Sequence, residues 1–292
     1  AGRVAQALDG GRLPIIHSEL REGGLTWHCT VFCRLAAGAA EARRGDEMLL
    51  TEVQWTVRNA SGRRQKAVLN AHLASPHVCL GYKVAMRKAA PYQRSLHLDG
   101  PIMADDRGRA RLAVAGDGAT VIAFADALPK ERLDGAAVDL GEAGLTRDAV
   151  SFTHELPAGG TAAFRLVIPY FSTEPRLLRS ELRPGFDAAL RAARRYWRAQ
   201  FARSGAIRTP EPVLNDSCDA YLYQAMLATG RKPRCGHWIL KTSPNNYEGL
   251  WGAHASIGAF SMDLRNQHRW ARRIYDTFLT NQGPVPGSMV NW

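Results

Sequence analysis

From residue 25 to about residue 170 the apolar positions recur every second residue. Leu25, Trp27, Cys29, Val31, Cys33 and Leu35 alternate with mostly polar neighbours, the pattern of a strand with one buried face. Val53, Trp55 and Val57 repeat it against Glu52, Gln54, Thr56 and Arg58. After the turn-forming run Asn59-Ala60-Ser61-Gly62, the pattern resumes at Ala67, Leu69, Ala71 and Leu73. Two further breaks read as hairpin turns. Gly116-Asp117-Gly118 separates Leu112–Ala115 from Val121–Phe124, and Pro157-Ala158-Gly159-Gly160 separates Val150–Leu156 from Ala163–Ile168. Many short strands joined by turns, with no helix-length pattern between most of them, predict an antiparallel β-sandwich.

After Pro169 the period lengthens. Pro175 and Pro184-Gly185 bracket a connecting stretch. Phe186, Leu190, Ala193, Trp197 and Phe201 then recur at three or four residues, predicting an amphipathic helix closed by Gly205. Arg191, Arg194, Arg195 and Arg198 fall mostly off that stripe, as a solvated face would. Pro210-Glu211-Pro212 opens the next helix, with Asn215 or Asp216 suited to its N-cap and a stripe of Leu214, Cys218, Tyr221, Leu222, Ala225 and Met226. Gly230 ends it. A last helix, or a pair broken at Asn266-Gln267, runs from about Ala253 to Asn281 before Gly283-Pro284. Its stripe comprises Ile257, Phe260, Leu264, Ala271, Ile274, Tyr275 and Phe278. The plan is therefore a β-sandwich over 1–178, a linker helix over 179–208 and a helical region over 209–292. Helices with outward apolar stripes form an incomplete layer, so further helices are expected beyond Trp292. Residue 1 is Ala rather than Met, so the chain is expected to be a processed product or a piece of a longer one.

Composition narrows the function classes. The 292 residues suit two ordinary domains. A chain 46% hydrophobic and 22% charged is globular rather than disordered. No run approaches the roughly 18 to 20 apolar residues of a membrane-spanning helix, so no membrane partner is expected. Thirty-eight Lys and Arg against 27 Asp and Glu give a net charge of +11, which on its own suggests a polyanion. Most of these cations are scattered arginines in an alanine-rich chain, the composition of a GC-rich genome. No basic block, zinc-finger spacing or aromatic RNA-binding signature accompanies them, so nucleic acid is set aside as a partner.

The five cysteines are too few and too spread for a disulfide framework. Cys29 and Cys33, four residues apart on a strand, stand about 13 Å apart, beyond disulfide reach, and read as small buried hydrophobes. Cys235-Gly236-His237 lacks a second ligand pair at zinc spacing. The nine histidines show no HxH or HExxH pattern, and no P-loop, dinucleotide fingerprint, Ser/Lys pair or nucleophile elbow is present. Neither a metal nor a cofactor is expected.

One segment concentrates chemistry. Between two predicted helices, Lys241–His254 brings together Asn245, Asn246, Tyr247, Glu248, Trp251 and His254, with Gly249 and Gly252 allowing close folding of the backbone. Sugar sites use this mixture: an aromatic ring stacks on the C–H face of a pyranose while amides and carboxylates hold its hydroxyls. The same composition also suits an ordinary loop leading into a helix, with Trp251 and His254 packed inside. Glu248 and Asp263 are the nearby carboxylates. Glycoside hydrolysis needs two of them about 5 to 9.5 Å apart; Glu248 is better placed to hold a hydroxyl, and Asp263 reads as a helix-surface residue.

A sandwich, a linker helix with Tyr196-Trp197, Pro-Glu-Pro-x-Leu-Asn-Asp at Pro210–Asp216, then helical hairpins with Tyr247-Glu248-Gly249-Leu250-Trp251 in a loop: this order resembles the six-hairpin glycosidases. That superfamily of hydrolases and phosphorylases carries an (α/α)6 toroid and includes glucoamylase-like, rhamnosidase-like and disaccharide phosphorylase-like enzymes. The resemblance implies that 209–292 opens such a toroid and that loops at one end line a sugar pocket. Where glucoamylase-like members carry an aromatic-Arg-Asp loop, this chain reads Tyr247-Glu248-Gly249. The general acid and its base, or bound phosphate, would come from hairpins beyond Trp292. The expected partner is an oligo- or polysaccharide. Two alternatives belong to other classes: a non-catalytic carbohydrate-binding or scaffold module, and a polysaccharide lyase in which the basic surface attracts uronate polymers and Tyr247 or His254 abstracts a proton.

Overall fold

The computed structural model describes residues 4–36, 47–72, 96–118, 120–125, 131–133, 136–138, 149–170, 172–231, 236–241 and 252–281. Leu73, Cys79, Cys235 and Gly283-Pro284 lie outside these residues. The first strands are β1 (Val4–Asp9), β2 (Leu13–Glu22), β3 (Leu25–Leu35), β4 (Leu49–Asn59) and β5 (Gln65–His72). Then come β6 (His97–Asp99), β7 (Ile102–Ala104), β8 (Ala110–Gly116), β9 (Val121–Ala125), β10 (Glu131–Leu133) and β11 (Ala136–Val138). β12 (Ala149–Leu156) and β13 (Thr161–Pro169) complete the strand-built part. The helices α1 (Pro175–Ser180), α2 (Phe186–Arg203) and α3 (Pro212–Ala228) follow, then the short strands β14 (Thr229–Arg231) and β15 (Trp238–Leu240), then α4 (Gly252–Leu264) and α5 (His268–Thr280).

The chain divides into two compact units. One comprises Ala1–Ala7, Ile16–Arg34 and Met48–Ala189; the other comprises Leu8–Ile15, Leu35–Glu47 and Leu190–Trp292. The first is an antiparallel sandwich. Its larger sheet runs in the order β1-β2-β3-β4-β13-β8-β7-β6, and a three-stranded sheet runs β5-β12-β9. Trp27, Val57, Leu112, Phe164 and Leu166 from the large sheet meet Ala67, Val150, Phe152 and Leu156 from the small one in a single core. Phe152 and Phe164 lie 5.3 Å apart and Trp27 and Phe164 6.2 Å apart, spacings at which aromatic pairs attract beyond their area of contact.

The two breaks predicted as hairpins behave differently from that expectation, and the Asn59–Gly62 turn behaves as they do. Each joins one sheet to the other. Asn59–Gly62 carries the chain from β4 in the large sheet to β5 in the small one. Gly116–Gly118 carries it from β8 to β9, and Pro157–Gly160 from β12 back to β13. Backbone bonds such as Asn59 N–H to the Gly160 carbonyl and Asp117 N–H to the Ala163 carbonyl hold these crossings, and side chains reinforce them. The buried Asn59 amide donates to the carbonyls of Arg63, Leu156 and Pro157, and its oxygen accepts from the Ser61 N–H. Asp117 accepts from the Ala163 N–H at 2.7 Å.

The outer face of the large sheet is also covered, which alters the burial expected from alternation. On β3, Trp27 and Cys29 are buried but so is Phe32, on the opposite parity. Its ring lies 5.5 Å from that of Phe186 at the start of α2. Cys33, expected to be buried, is half-buried, with its sulfur 3.5 Å from the Thr51 hydroxyl. Glu52, read as a polar outward position, is 0% exposed. Arg165 grips its carboxylate with two hydrogen bonds of 2.9 Å, from Nε and from Nη2. Arg34 Nε adds a third at 2.8 Å, and Arg34 Nη1 reaches Glu181 just after α1 at 2.6 Å. Two arginines and two glutamates thus neutralise one another. That pairing and the three donors on Glu52 are what make a buried carboxylate tolerable.

Candidate functional site

In the second unit, β14 and β15 pair antiparallel, Thr229 opposite Leu240 and Arg231 opposite Trp238. The Lys241 N–H extends that pairing to the Ala228 carbonyl at 3.0 Å. In the chain, the predicted sugar-contact segment follows this hairpin and leads into α4. Packing holds both flanks. Thr277 on α5 donates to the Trp238 carbonyl at 2.7 Å. Arg273 places its guanidinium carbon 4.0 Å from the Trp238 ring centroid and 5.1 Å from that of Trp270, a range in which the cation and the ring faces attract. Gly258 lets α4 lie close: a β-carbon there would stand 2.6 Å from Leu240 Cδ1.

Of the six residues assigned to sugar contact, only His254 lies among the described residues. It is exposed in the first turn of α4. Asn245, Asn246, Tyr247, Glu248 and Trp251 fall outside them. Asp263 is exposed, as expected, and its carboxylate is 2.5 Å from His268 Nδ1.

The helices depart from their predicted stripes. Asn215 is not an N-cap. α3 starts three residues earlier at Pro212, where proline costs no helical hydrogen bond, and Asn215 clasps the preceding segment by bonding both the N–H and the carbonyl of Thr209. On α4 the buried face is Ala255, Gly258, Ala259 and Met262, while Ile257, Phe260 and Leu264 are 61%, 56% and 68% exposed. On α3, Leu214 and Tyr221 are exposed and Tyr223 is buried. Small residues on α4 permit close backbone approach, and that selects the packed face over the greasier one.

The expected break between α4 and α5 is real, and it builds a second feature. Asn266 adopts φ of 59°, which an Asn tolerates. The corner then caps the end of α2. Asn266 Nδ2 donates to the Arg203 carbonyl and Gln267 Nε2 to the Gln200 carbonyl. Arg265 Nε donates to the Gly205 carbonyl at 2.5 Å, satisfying groups that a helix end leaves open. The remaining Arg265 nitrogens reach the Cys218 carbonyl at 3.1 Å and Asp219 at 2.7 Å.

Beside this corner is an open cleft of about 340 Å³, lined on one side by the β1–β2 turn. Gly10 and Gly11 both have positive φ, and the Arg12 N–H returns to the Asp9 carbonyl at 3.4 Å. That is a tight primed turn, which sets Asp9 and Arg12 side by side. Asp9 is held in two hydrogen bonds by Arg194, at 2.9 and 2.6 Å. These bonds raise the Arg194 pKa. Arg12 stands 3.8 Å from Asp219, a carboxylate that Arg265 already holds. Arg198 and Arg208 line the same cleft and are exposed. Among the described residues no group of three or more His, Cys, Asp or Glu side chains is arranged to hold a metal, and no helix is long and apolar enough to cross a membrane.

No protein-family model matches the sequence, and no curated protein matches it. Among solved structures the chain is similar to a GH92 family glycosyl hydrolase, at 10% identity and a TM-score of 0.30 over 79% of this chain. It is also similar to a family GH92 inverting mannosidase from Bacteroides thetaiotaomicron, at 10% identity and a TM-score of 0.24 over 82% of this chain. The chain spans under a third of the length of each, 29% and 28%.

The cleft has little sequence signature. Asp9, Arg12, Arg198, Arg208, Asp219 and Arg265 come from five separate stretches of chain. The Arg191–Arg198 group reads as a solvated face because helical phase alone decides that reading; only the fold brings Asp9 to Arg194 and a cleft to Arg198.

Proposed function

We propose that the chain is part of a carbohydrate-active enzyme of the six-hairpin type, a glycoside hydrolase or phosphorylase. In this reading it supplies the β-sandwich support and the first hairpins of an (α/α)6 toroid. The observation that carries the proposal is the order of parts in one chain: an antiparallel sandwich, a linker helix, then a helical hairpin entered through the Asn245–His254 segment. The row Ile257, Phe260 and Leu264 supports it as well, since apolar side chains spaced three and four apart on an exposed helix face suit a further packed helix. Within the segment, Trp251 and Tyr247 stack on a sugar ring, Asn245, Asn246 and Glu248 hold hydroxyls, and His254 contacts substrate from α4. A carboxylate pair would cleave the glycosidic bond through an oxocarbenium-like transition state, one acting as acid and one as base or nucleophile. The reading assigns neither role to a residue of this chain.

The test is calorimetric titration of the full chain with a panel of neutral oligosaccharides, repeated with Glu248→Ala and Trp251→Ala. Loss of one stacked ring is expected to weaken binding by about five-fold, given about 1 kcal/mol for such a contact. Binding that neither substitution changes would remove the segment from the site. Tight binding with no turnover, even with all neighbouring helices present, would favour the non-catalytic module.

A further inference from the structure

The cleft beside the α4–α5 corner has an excess of positive charge that nothing described neutralises. Its two carboxylates are already engaged: Asp9 by both arms of Arg194, Asp219 by Arg265. Arg12 reaches Asp219 only at 3.8 Å, and its side chain is 49% exposed. Arg198 and Arg208 make no ion pair among the described residues. Three arginines from three segments therefore converge: one from the β1–β2 turn, one from α2 and one from the connection between α2 and α3.

Like charges gathered this way repel one another, and a surface free to spread them would do so. Here a fixed frame stands beneath them. Arg265 is buried with every nitrogen committed, two of them to backbone carbonyls, which fixes the floor of the cleft. Phe201 lines the same space. The volume of about 340 Å³ is in the range of sites for small organic ligands, about 300 to 1,000 Å³. Arginine forks match carboxylates in two-point fashion, and an aromatic side chain matches the C–H face of a sugar.

We propose that this cleft binds the carboxylates of an acidic oligosaccharide, a uronate chain, with Arg12, Arg198 and Arg208 as the recognising cations. The proposal deepens the carbohydrate reading and rests on it for the sugar; the demand for negative charge comes from the cleft alone. It gives the scattered basic composition one local use.

The experiment titrates the full chain with tetragalacturonate, with maltotetraose as an uncharged tetramer and with inorganic phosphate. Each titration is repeated for Arg198→Gln/Arg208→Gln and, as a control of equal charge change with both sites on α2, Arg191→Gln/Arg195→Gln. The substituted positions are exposed, and a melting curve for each variant checks folding; Arg208→Gln alone provides a milder version. Tetragalacturonate is expected to bind, to weaken about ten-fold or more in the cleft variant and to weaken with added salt. The control variant and maltotetraose binding should be unaffected. Equal weakening in both double variants would reduce the effect to diffuse charge and overturn the proposal. So would phosphate displacing tetragalacturonate at matching concentration, or no binding of tetragalacturonate by the folded chain. Failure of the carbohydrate reading has a different mark: Trp251→Ala and Glu248→Ala leave all neutral sugar binding unchanged, whatever the arginine variants do.

Discussion

The two units use arginine in opposite ways. In the sandwich, Arg34 and Arg165 are enclosed with Glu52 and Glu181, two charges against two, and every member has several partners. In the helical unit, the Asp9–Arg194 and Asp219–Arg265 pairs are likewise balanced, but Arg12 only shares Asp219 at 3.8 Å, and Arg198 and Arg208 have no acid partner among the described residues. A closed, neutral cluster ties a sheet to the segment covering it. A cluster with charge left over and a cleft beside it has capacity for a ligand. Charge balance inside the local cluster, rather than the number of ion pairs, separates the two.

The largest expected effect breaks the closed cluster. Glu52→Gln keeps the shape but leaves Arg165 and Arg34 buried against a neutral group. A loss of about 3 to 5 kcal/mol is expected, as when one partner of a buried pair is removed, measured by urea denaturation. A loss under about 1 kcal/mol would mean the sheet face is wetter than its burial indicates. Next comes Gly258→Val, which pushes a side chain into Leu240. Overpacking costs about 1 to 3 kcal/mol, and the helical unit should melt earlier while the sandwich transition stays in place. If both transitions move together, the units do not unfold independently.

A smaller effect appears with pH. Burial pushes the Cys29 thiol from 9.0 up to about 11. In the unfolded chain the thiol ionises first, so the folded form holds more protons between these values. Stability contributed by the neutral thiol is complete below pH 9 and lost as pH rises towards 11. Cys29→Ala should flatten the alkaline decline of stability relative to the parent chain, and the thiol should resist alkylation at pH 8. An unchanged alkaline slope would contradict this. Smallest of all is Arg179→Ala. Its contact with Asp99 is 3.5 Å long and well exposed on both sides, so a change within about 0.5 kcal/mol is expected from thermal melting. Together with Glu52→Gln it sets the full range over which one kind of ion pair acts in this protein.

Much of the fold is readable from local pattern. Alternation at Leu25–Leu35 and Val53–Val57 marks β3 and β4, and the three- and four-residue spacing after Pro184 marks α2. The Asn266-Gln267 break between α4 and α5 is readable because an amide pair interrupts an apolar stripe. The short β14–β15 hairpin is missed: three residues a side carry no measurable period. The polar reading of Glu52 fails because alternation reports two faces and is silent on whether a helix covers the second. For the site, composition picks out Asn245–His254, of which His254 is described and exposed. The arginine cleft is invisible in sequence, since residues from 9 to 265 meet only after folding.

What sequence alone determined is the local state: which stretches are extended, which are helical and where the chain must turn. Backbone geometry sets those periods within a few residues, so no distant partner is needed. Tertiary structure decided the rest. It sent three turns, two of them predicted as hairpins, across from sheet to sheet, buried Glu52 and chose the small-residue face of α4 over Ile257, Phe260 and Leu264. It also gathered the cleft from distant segments. Each of these depends on which surfaces meet, and close packing with charge balance settles that across the whole unit rather than along the chain.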